Sequence, residues 1–297
     1  MIVGDDGLAL PGPLVSVDWL AAHLADPALV VLDAHVGWGT AGPDARLSLA
    51  QIAAGHIPGA RFADLVEALS DGARPFHFAN PAPDALARAL AALGVGADRQ
   101  VVIYDRGLNM WAARLWWMLR AIGVTAAVLD GGWEAWRAAG HPIATGAPRR
   151  PNAVSSVSVA PEPLFADLED VAAIVAGTAP SRPLVCALPV EIFSGETALY
   201  GRSGHIPGSL SLPAASLLDE HGRFLAPALL AARLQPLIGG PAPILYCGGG
   251  VSAAVIALAL VVIGRGAGAR IYDGSLEEWG ADGARPLATS HISKDHP

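Results

Sequence analysis

The feature that most constrains the fold is an internal repeat. The segment Gly-His-Ile-Pro-Gly occurs at 55–59 and again at 204–208. Two more pairs of related segments follow in the same order: Val-Ile-Tyr-Asp at 102–105 with Ile-Leu-Tyr-Cys at 244–247, and Leu-Asp-Gly-Gly-Trp at 129–133 with Tyr-Asp-Gly-Ser-Leu at 272–276. Because order and spacing are nearly preserved, the sequence predicts that a whole domain is duplicated. A length of 297 residues suits two such domains.

Each half alternates patterns that are typical of strands and helices. Short aliphatic runs at 29–32, 101–104 and 126–129 are typical of buried strands, and the longer pattern at 111–122 is typical of a helix. This alternation favours parallel strands covered by helices. We therefore predict an α/β fold of two tandem domains, each a mainly parallel sheet with helices on both faces.

A proline-rich stretch separates the two halves. Residues 142–163 contain five prolines and show no helix or strand period, a composition that is typical of a linker. We therefore predict a first domain at 1–145, a linker at 146–162 and a second domain at 163–297.

Charge, hydropathy and cysteine content exclude several classes of protein. The formal net charge of −8 argues against nucleic acid or an anionic membrane surface as a partner, since both require a basic face. The most apolar run, at 251–264, is shorter than the roughly 20 residues that span a bilayer. Two cysteines cannot form a disulfide framework or, alone, a structural zinc site. Since residues 1–13 show no secretion signal, the sequence predicts a cytoplasmic protein.

Cys247 is the candidate catalytic residue, because it follows a predicted strand at 244–246 and precedes a glycine-rich loop. Open α/β sheets bind ligands beyond the carboxyl ends of their strands. Consecutive glycines let the backbone curl so that N–H groups converge, and the following helix N-terminus attracts negative charge. The predicted loop for an anion on sulfur consists of Gly248, Gly249, Gly250, Val251, Ser252 and Ala253.

Two other interpretations of Cys247 compete with this one. It could be a small buried hydrophobe beside an ordinary turn. However, the corresponding residue of the first half is Asp105, whereas a packing residue should have an apolar counterpart. A cysteine phosphatase is the second alternative, but it needs an arginine directly after the loop, where this chain has Ser252, Ala253 and Ala254. We therefore favour a nucleophilic cysteine.

Several of these segments together resemble the rhodanese-like sulfurtransferases over nearly the whole chain: the loop at 247–253, the two His-Ile-Pro-Gly segments, and the segment at 272–279. In that family, a first domain without the cysteine packs on a second domain that carries it. The resemblance implies that the Cys247 thiolate takes the outer sulfur of a small anionic donor, thiosulfate or 3-mercaptopyruvate, and forms a persulfide. The persulfide then passes its sulfur to a thiol or to cyanide. The resemblance implies no metal and no organic cofactor.

The identity of the donor stays open. The neutral loop resembles that of the 3-mercaptopyruvate enzymes more than that of the thiosulfate enzymes, which carry cations there. The arginines that bind a carboxylate in the first group are nevertheless absent from the segment at 186–193. Arg202 is a candidate replacement, because a guanidinium can bind a carboxylate or sulfonate through two hydrogen bonds; a solvated loop arginine is the alternative. The missing arginines also leave open a persulfide carrier or binding module without turnover.

Four further residues are assigned other roles. We expect His56 and His205, which each precede Ile-Pro-Gly, to hold turns by hydrogen bonding. The family resemblance also allows His56, together with Asp44, to lie near the cleft. Cys186 is expected to end a buried strand, with a resolving thiol as the alternative.

Overall fold

The first half of the chain forms one five-stranded parallel sheet. The computed structural model describes residues 8–148, 154, 157 and 159–290. The elements of the first half are β1 (Leu14–Val15), α1 (Val17–His23), β2 (Leu29–Asp33), β3 (Gly37–Gly39), β4 (Gly42–Asp44), α2 (Ala45–Ala54), β5 (Arg61–Phe62), α3 (Pro83–Ala92), β6 (Gln100–Tyr104), α4 (Met110–Ala121), β7 (Ala126–Leu129) and α5 (Gly132–Ala138). The strand order is β1-β7-β6-β2-β5, with every pair parallel. Strands β3 and β4 form a separate antiparallel pair.

The second half forms another five-stranded parallel sheet. Its elements are β8 (Phe165–Ala166), α6 (Leu168–Val175), β9 (Leu184–Cys186), α7 (Val190–Ser194), β10 (Leu210–Ser211), a 3₁₀ turn (Ala214–Leu217), α8 (Pro227–Arg233), a second 3₁₀ turn (Gln235–Leu237), β11 (Ile244–Tyr246), α9 (Ala253–Val262), β12 (Arg270–Tyr272) and α10 (Ser275–Ala281). The strand order is β10-β9-β11-β12-β8. Every pair is again parallel.

Both faces of the central strands are buried, which explains why their sequences are continuous apolar runs rather than alternating ones. Along β2, Val30 and Leu32 lie in one hydrophobic core, whereas Leu29 and Val31 lie in another. Helices α3 and α4 pack into the first of these cores, and α1 and α5 into the second. The prediction of an α/β fold with helices on both faces of each sheet is confirmed.

One hydrophobic core joins the two halves. Side chains from the first sheet, such as Val30 and Ile103, belong to the same cluster as Val185 and Leu245 from the second sheet. Helices α4 and α9 lie against each other within this shared core. The two domains therefore form one packed unit.

Two equivalent hydrogen bonds cross the boundary between the halves in opposite directions. The Asp130 carboxylate accepts from the backbone N–H of Phe224 at 2.8 Å. The Asp273 carboxylate accepts from the backbone N–H of Asn80 at 2.8 Å. Asp130 and Asp273 follow corresponding strands, β7 and β12. Each half thus gives the other the same kind of bond.

The two His-Ile-Pro-Gly segments are held in the same way. The hydroxyl of Tyr104, at the end of β6, accepts from the N–H of Ile57 at 3.2 Å. The hydroxyl of Tyr246, at the end of β11, accepts from the N–H of Ile206 at 3.1 Å. The tyrosine and the turn therefore recur together in the sequence because they bind each other.

The predicted linker lies partly outside the described residues. Of its described members, Val154, Ala160 and Glu162 donate backbone hydrogen bonds to carbonyls of α3 and of the end of α4. This part of the chain therefore lies along the first domain, and the domain limits stay a prediction. Within the described ranges, no helix has the length and apolar character needed to cross a membrane.

Candidate functional site

Cys247 lies directly after β11, which is the central strand of the second sheet. Its backbone N–H donates to the Ser275 hydroxyl at 3.1 Å, and that hydroxyl donates to the Tyr272 carbonyl at 2.8 Å. The first turn of α10 donates in return, from Leu276 to the Cys247 carbonyl and from Glu277 to the Gly248 carbonyl. The end of β11 and the start of α10 together thus fix the start of the loop. Cys247 is buried, with 2% of its surface exposed.

Gly250 is the position in the loop where only glycine fits. Its φ of +72° belongs to the left-handed region that side chains avoid. A Cβ added there would lie 2.5 Å from the Asp273 carbonyl oxygen. The loop can therefore approach the segment after β12 closely only because Gly250 has no side chain.

An arginine from the first domain braces this loop. Arg114 on α4 is fully buried, and its guanidinium donates to the Gly250 carbonyl at 3.2 Å and to the Phe78 carbonyl at 2.7 Å. It also pairs with the Asp273 carboxylate at 2.6 Å. Because a buried charge is tolerated only when it is paired and hydrogen-bonded, these three contacts fix the guanidinium firmly. The first domain therefore helps to shape the loop of the second.

The residues of the predicted anion-binding loop lie between β11 and the first residue of α9. Binding of an anion by their N–H groups stays a prediction. The helix begins at Ala253 and is buried along most of its length. Ser252 occupies the cap position without a side-chain hydrogen bond to the helix. The hydroxyl of Ser252 therefore does not accept a hydrogen bond from an N–H group of the helix.

Three side chains that the sequence did not single out line the entrance to the loop. The Tyr200 hydroxyl lies 3.2 Å from the position of a Cβ added to Gly248, and Glu277 Oε2 lies 3.3 Å from a Cβ added to Gly249. Glu277 Oε1 is paired with His77 Nδ1 at 2.5 Å, and Glu277 Oε2 accepts from the His77 backbone N–H at 3.3 Å. His77 belongs to the first domain, so both domains contribute to the entrance.

The corresponding loop of the first domain holds a carboxylate instead of a thiol. Asp105 is buried, and its carboxylate accepts from the N–H groups of Gly107, Trp111 and Ala112 at 2.8–2.9 Å. Burial raises the pKa of Asp105 to about 6, although these three bonds act to lower it. The N-terminus of α4 therefore already carries its own acidic group.

A cavity of about 620 Å³ lies over this first-domain loop and not over Cys247. Its lining mixes acids, Glu134 and Glu220, with cations, Arg106 and Arg223. The N–H groups of Gly107, Trp111 and Ala112 already bind Asp105, so these three are not available to an anion in the cavity.

Arg202 uses its guanidinium to bind the chain itself. It donates to the backbone carbonyls of Gly280, Asp282 and Arg285 at 3.5, 3.0 and 2.8 Å. These contacts tie the loop before His205 to the end of α10 and to the segment after it. Contact of Arg202 with a substrate stays a prediction.

The two histidines of the repeated motif bind backbone carbonyls. His56 Nδ1 lies 3.1 Å from the Ile52 carbonyl, and His205 Nδ1 lies 2.7 Å from the Phe193 carbonyl. Both rings are buried. This geometry is that of side chains that hold a turn.

Asp44 caps a helix, and Cys186 ends a buried strand. Asp44 caps α2 by accepting from the N–H groups of Arg46 and Leu47. Cys186 ends β9 and is fully buried, and burial raises the pKa of its thiol to about 11. Both cysteines are free thiols. In the described part of the chain, no cluster of three or more His, Cys, Asp or Glu side chains could hold a metal ion.

Comparison with known proteins agrees with this architecture. The model of the rhodanese-like domain matches residues 16–139 and 194–282. The chain belongs to the rhodanese-like family. It is 34% identical over 278 residues to a 3-mercaptopyruvate sulfurtransferase of Escherichia coli, an alignment that covers 92% of this chain and 96% of that protein. It is 33% identical over 290 residues to a thiosulfate sulfurtransferase of Cricetulus griseus, covering 90% and 91% of the two chains.

Solved structures of the rhodanese-like fold superpose on both domains at once. The crystal structure of SseA from Escherichia coli, a 3-mercaptopyruvate sulfotransferase, matches with a TM-score of 0.76 and 32% identity, covering 89% of this chain and 98% of that one. The Tum1 protein of Saccharomyces cerevisiae matches with a TM-score of 0.80 and 25% identity, covering 94% and 99%. The predicted family, two-domain fold and sulfurtransferase class are confirmed.

The site residues that sequence reasoning missed share one property. Arg114, His77, Glu277 and Tyr200 reach the loop only through contacts between elements far apart in the chain. Arg114 left a signal, since it is a lone charge in the apolar start of α4. Tyr200 left a weaker one, since it precedes Gly201 in a loop with turn composition.

Proposed function

We propose that Cys247 is the nucleophile of this sulfurtransferase and carries the transferred sulfur as a persulfide. Its position at the carboxyl end of the central strand supports this proposal most strongly, because the loop and the start of α9 meet there. In the first step the thiolate attacks the outer sulfur of the donor, and a new S–S bond forms while the donor loses that sulfur. In the second step an acceptor thiolate or cyanide attacks the outer sulfur and restores the Cys247 thiolate.

The loop at Gly248, Gly249, Gly250, Val251, Ser252 and Ala253 would stabilise the negative charge on sulfur in both steps. The helix N-terminus contributes a partial positive charge, and backbone N–H groups contribute hydrogen bonds. The Arg114 guanidinium, bound to the Gly250 carbonyl, keeps the loop in place. Neither step needs a metal or an organic cofactor.

For the donor we propose a small anion, 3-mercaptopyruvate or thiosulfate, which are the compounds in the names of the related enzymes. The neutral loop favours 3-mercaptopyruvate. Glu277 supports the same preference, because a carboxylate beside Gly249 repels a doubly charged donor more than a singly charged one. The acceptor is a thiol or cyanide, in a cytoplasmic setting and without nucleic acid or membrane as partner.

A persulfide carrier without turnover is the second candidate. The burial of Cys247 favours it, because only 2% of the residue surface is exposed to an incoming acceptor. A carrier would accept sulfur from a donor but release it to small thiols very slowly.

Intact-protein mass measurement tests the proposal. Incubation with either donor should add about 32 Da, the mass of one sulfur atom, and a later incubation with cyanide should remove it. The gain should vanish in Cys247→Ser and persist in the control Cys186→Ser. Absence of the gain in the unaltered protein with both donors would contradict the proposal, and a gain that no acceptor removes would favour the carrier.

A further inference from the structure

The loop before the second His-Ile-Pro-Gly segment contains a strained turn. Tyr200 has a φ of +53° and Gly201 a φ of +74°. Leu199 and Arg202 exchange two backbone hydrogen bonds, at 2.9 and 3.1 Å, across these two residues. Two central residues with positive φ define a hairpin turn in which Asn, Asp or Gly is the usual first residue. A bulky aromatic side chain there is unfavourable, and such strain is often retained at functional positions.

The turn is anchored so that the strain persists. The Arg202 guanidinium donates to three carbonyls at the end of α10 and just after it, at Gly280, Asp282 and Arg285. Because Arg202 ends the turn, this anchor fixes the direction in which the Tyr200 side chain leaves the backbone. Tyr200 would otherwise gain by shifting to an unstrained conformation.

The anchored turn places a phenol over the Cys247 loop. The Tyr200 hydroxyl lies 3.2 Å and 3.8 Å from the positions that Cβ atoms on Gly248 and Gly249 would take. The absence of side chains at these two glycines therefore creates the space into which the hydroxyl extends. Within the part of the chain that the structure describes, no hydrogen-bond partner of this hydroxyl is found, and the nearby Glu277 oxygens are both engaged by His77.

The hydroxyl keeps its proton in this position. Burial, together with the negative charges of Glu277 and Cys247, raises the pKa of Tyr200 well above its ordinary value. A phenol that stays protonated at neutral pH is a hydrogen-bond donor.

We propose that Tyr200 is a catalytic residue of the sulfur-transfer reaction. Its hydroxyl donates a hydrogen bond to an oxygen of the leaving group, which gains negative charge as the sulfur compound loses its outer sulfur. This proposal rests on the proposed function of Cys247. It assigns Tyr200 a charge-stabilising role where the family's arginines are missing, and it makes Arg202 the anchor of that group.

With either sulfur donor, one bond to the outer sulfur forms, one breaks, and the electron pair of the broken bond stays on the leaving group. With thiosulfate, the Cys247 thiolate forms a bond to the outer sulfur, the S–S bond of thiosulfate breaks, and its electron pair leaves on sulfite. With 3-mercaptopyruvate, the C–S bond breaks, and its electron pair leaves as the enolate of pyruvate, which then takes a proton from water at carbon. In each case negative charge grows on an oxygen of the leaving group, and the Tyr200 proton stays on the phenol. Fixed donors aimed at developing negative charge lower the barrier of such steps.

Separate measurement of the two half-reactions tests the proposal. Persulfide formation is followed in single turnover: the protein is mixed with thiosulfate or 3-mercaptopyruvate, the reaction is quenched, and the intact protein mass is measured. Sulfur release is followed in the same way after cyanide is added to the persulfide form. Tyr200→Phe should slow persulfide formation about 10- to 100-fold with little change in donor affinity, because the hydrogen bond strengthens in the transition state. It should leave sulfur release unchanged, because that step produces no oxyanion.

Two control variants separate this role from a structural one. Tyr104→Phe removes a phenol hydroxyl from the other domain and should leave both half-reactions unchanged. Tyr200→Asn should lose as much rate as Tyr200→Phe while raising Tm, because asparagine tolerates the left-handed conformation.

Equal slowing of both half-reactions in Tyr200→Phe, or no slowing of either, would overturn the role of Tyr200 while leaving Cys247 as the nucleophile. Failure of the unaltered protein to gain sulfur from either donor would instead overturn the proposed function, and the role of Tyr200 with it.

Discussion

Asp105 and Cys247 occupy corresponding places in two loops and differ in one chemical respect. Asp105 carries a carboxyl group that accepts from three N–H groups, one in the loop and two at the start of α4. Cys247 carries a thiol that can be loaded and unloaded with sulfur. The carboxylate cannot take part in sulfur transfer, so the substitution explains why the second domain alone is expected to react.

The buried carboxyl of Asp105 predicts a pH dependence of stability. Its pKa is about 6 in the folded chain and 3.8 as the ordinary value. Because the folded-state pKa is raised, the stabilising protonated form is complete below about pH 4 and is lost as pH rises through 6. Asp105→Asn stays neutral, so its unfolding free energy relative to that of the original chain should rise by up to about 3 kcal/mol as pH goes from 4 to 7. Urea unfolding at several pH values measures the difference.

Asp219 provides the control of opposite sign. It is exposed, and backbone hydrogen bonds, chiefly from Arg223, lower the pKa of its carboxyl. Asp219→Asn should be less stable than the original chain above about pH 4, and this difference should disappear as pH falls below 4, since a lowered pKa stabilises the ionised form. Parallel pH profiles for Asp105→Asn and the original chain would contradict the assignment at Asp105.

At the scale of the element, the helices and strands were predictable from the sequence. The contacts between elements that lie far apart in the chain were not. Buried strands such as β2 and β6 have apolar runs that allow little else, and the glycines after β11 point to a loop that curls. The brace from Arg114 on α4 and the turn at Tyr200 depend on how elements pack, which periodicity does not contain. Arg202 shows the same limit: the sequence revealed a cation near the site, but not the three carbonyls it binds.

The loop after β11 gives a prediction at the scale of the element. Gly250→Ala places a Cβ 2.5 Å from the Asp273 carbonyl oxygen, so the loop must move away from Arg114 and from α10. We expect it to reduce turnover strongly and to destabilise the fold. Gly208→Ala is the matched control, because Gly208 also has a positive φ but has open space at the Cβ position.

The two variants should separate the effect of the left-handed backbone conformation, which both share, from the effect of the contact with Asp273, which only Gly250→Ala creates. Gly208→Ala should cost about 1–2 kcal/mol of unfolding free energy, the price of a left-handed alanine, with turnover retained. Steady-state assays and urea unfolding of both proteins provide the measurements. Equal turnover in the two variants would show that the contact with Asp273 is unimportant for the loop.

At the scale of the whole molecule, the shared core predicts cooperative unfolding. Chains of this length commonly unfold domain by domain. Here the faces of both sheets, α4 and α9 belong to one hydrophobic cluster, so opening one domain exposes the core of the other. We expect one calorimetric transition whose measured enthalpy equals its van't Hoff enthalpy.

An interface variant sharpens this experiment. Asp130→Ala removes the carboxylate that binds the Phe224 N–H across the boundary. It should lower Tm of the single transition without dividing it. Two separate transitions in the original chain would show that the domains unfold independently.

The reciprocal bonds from Asp130 to Phe224 and from Asp273 to Asn80 have a further consequence for how the site is assembled. Such an exchange is the pattern of a symmetric dimer, in which each subunit offers its partner the same surface. Here one covalent chain supplies both surfaces, so the partner is always present at a high effective concentration. Arg114 and His77 therefore reach the loop of Cys247 equally well in a very dilute solution, where two separate subunits would come apart.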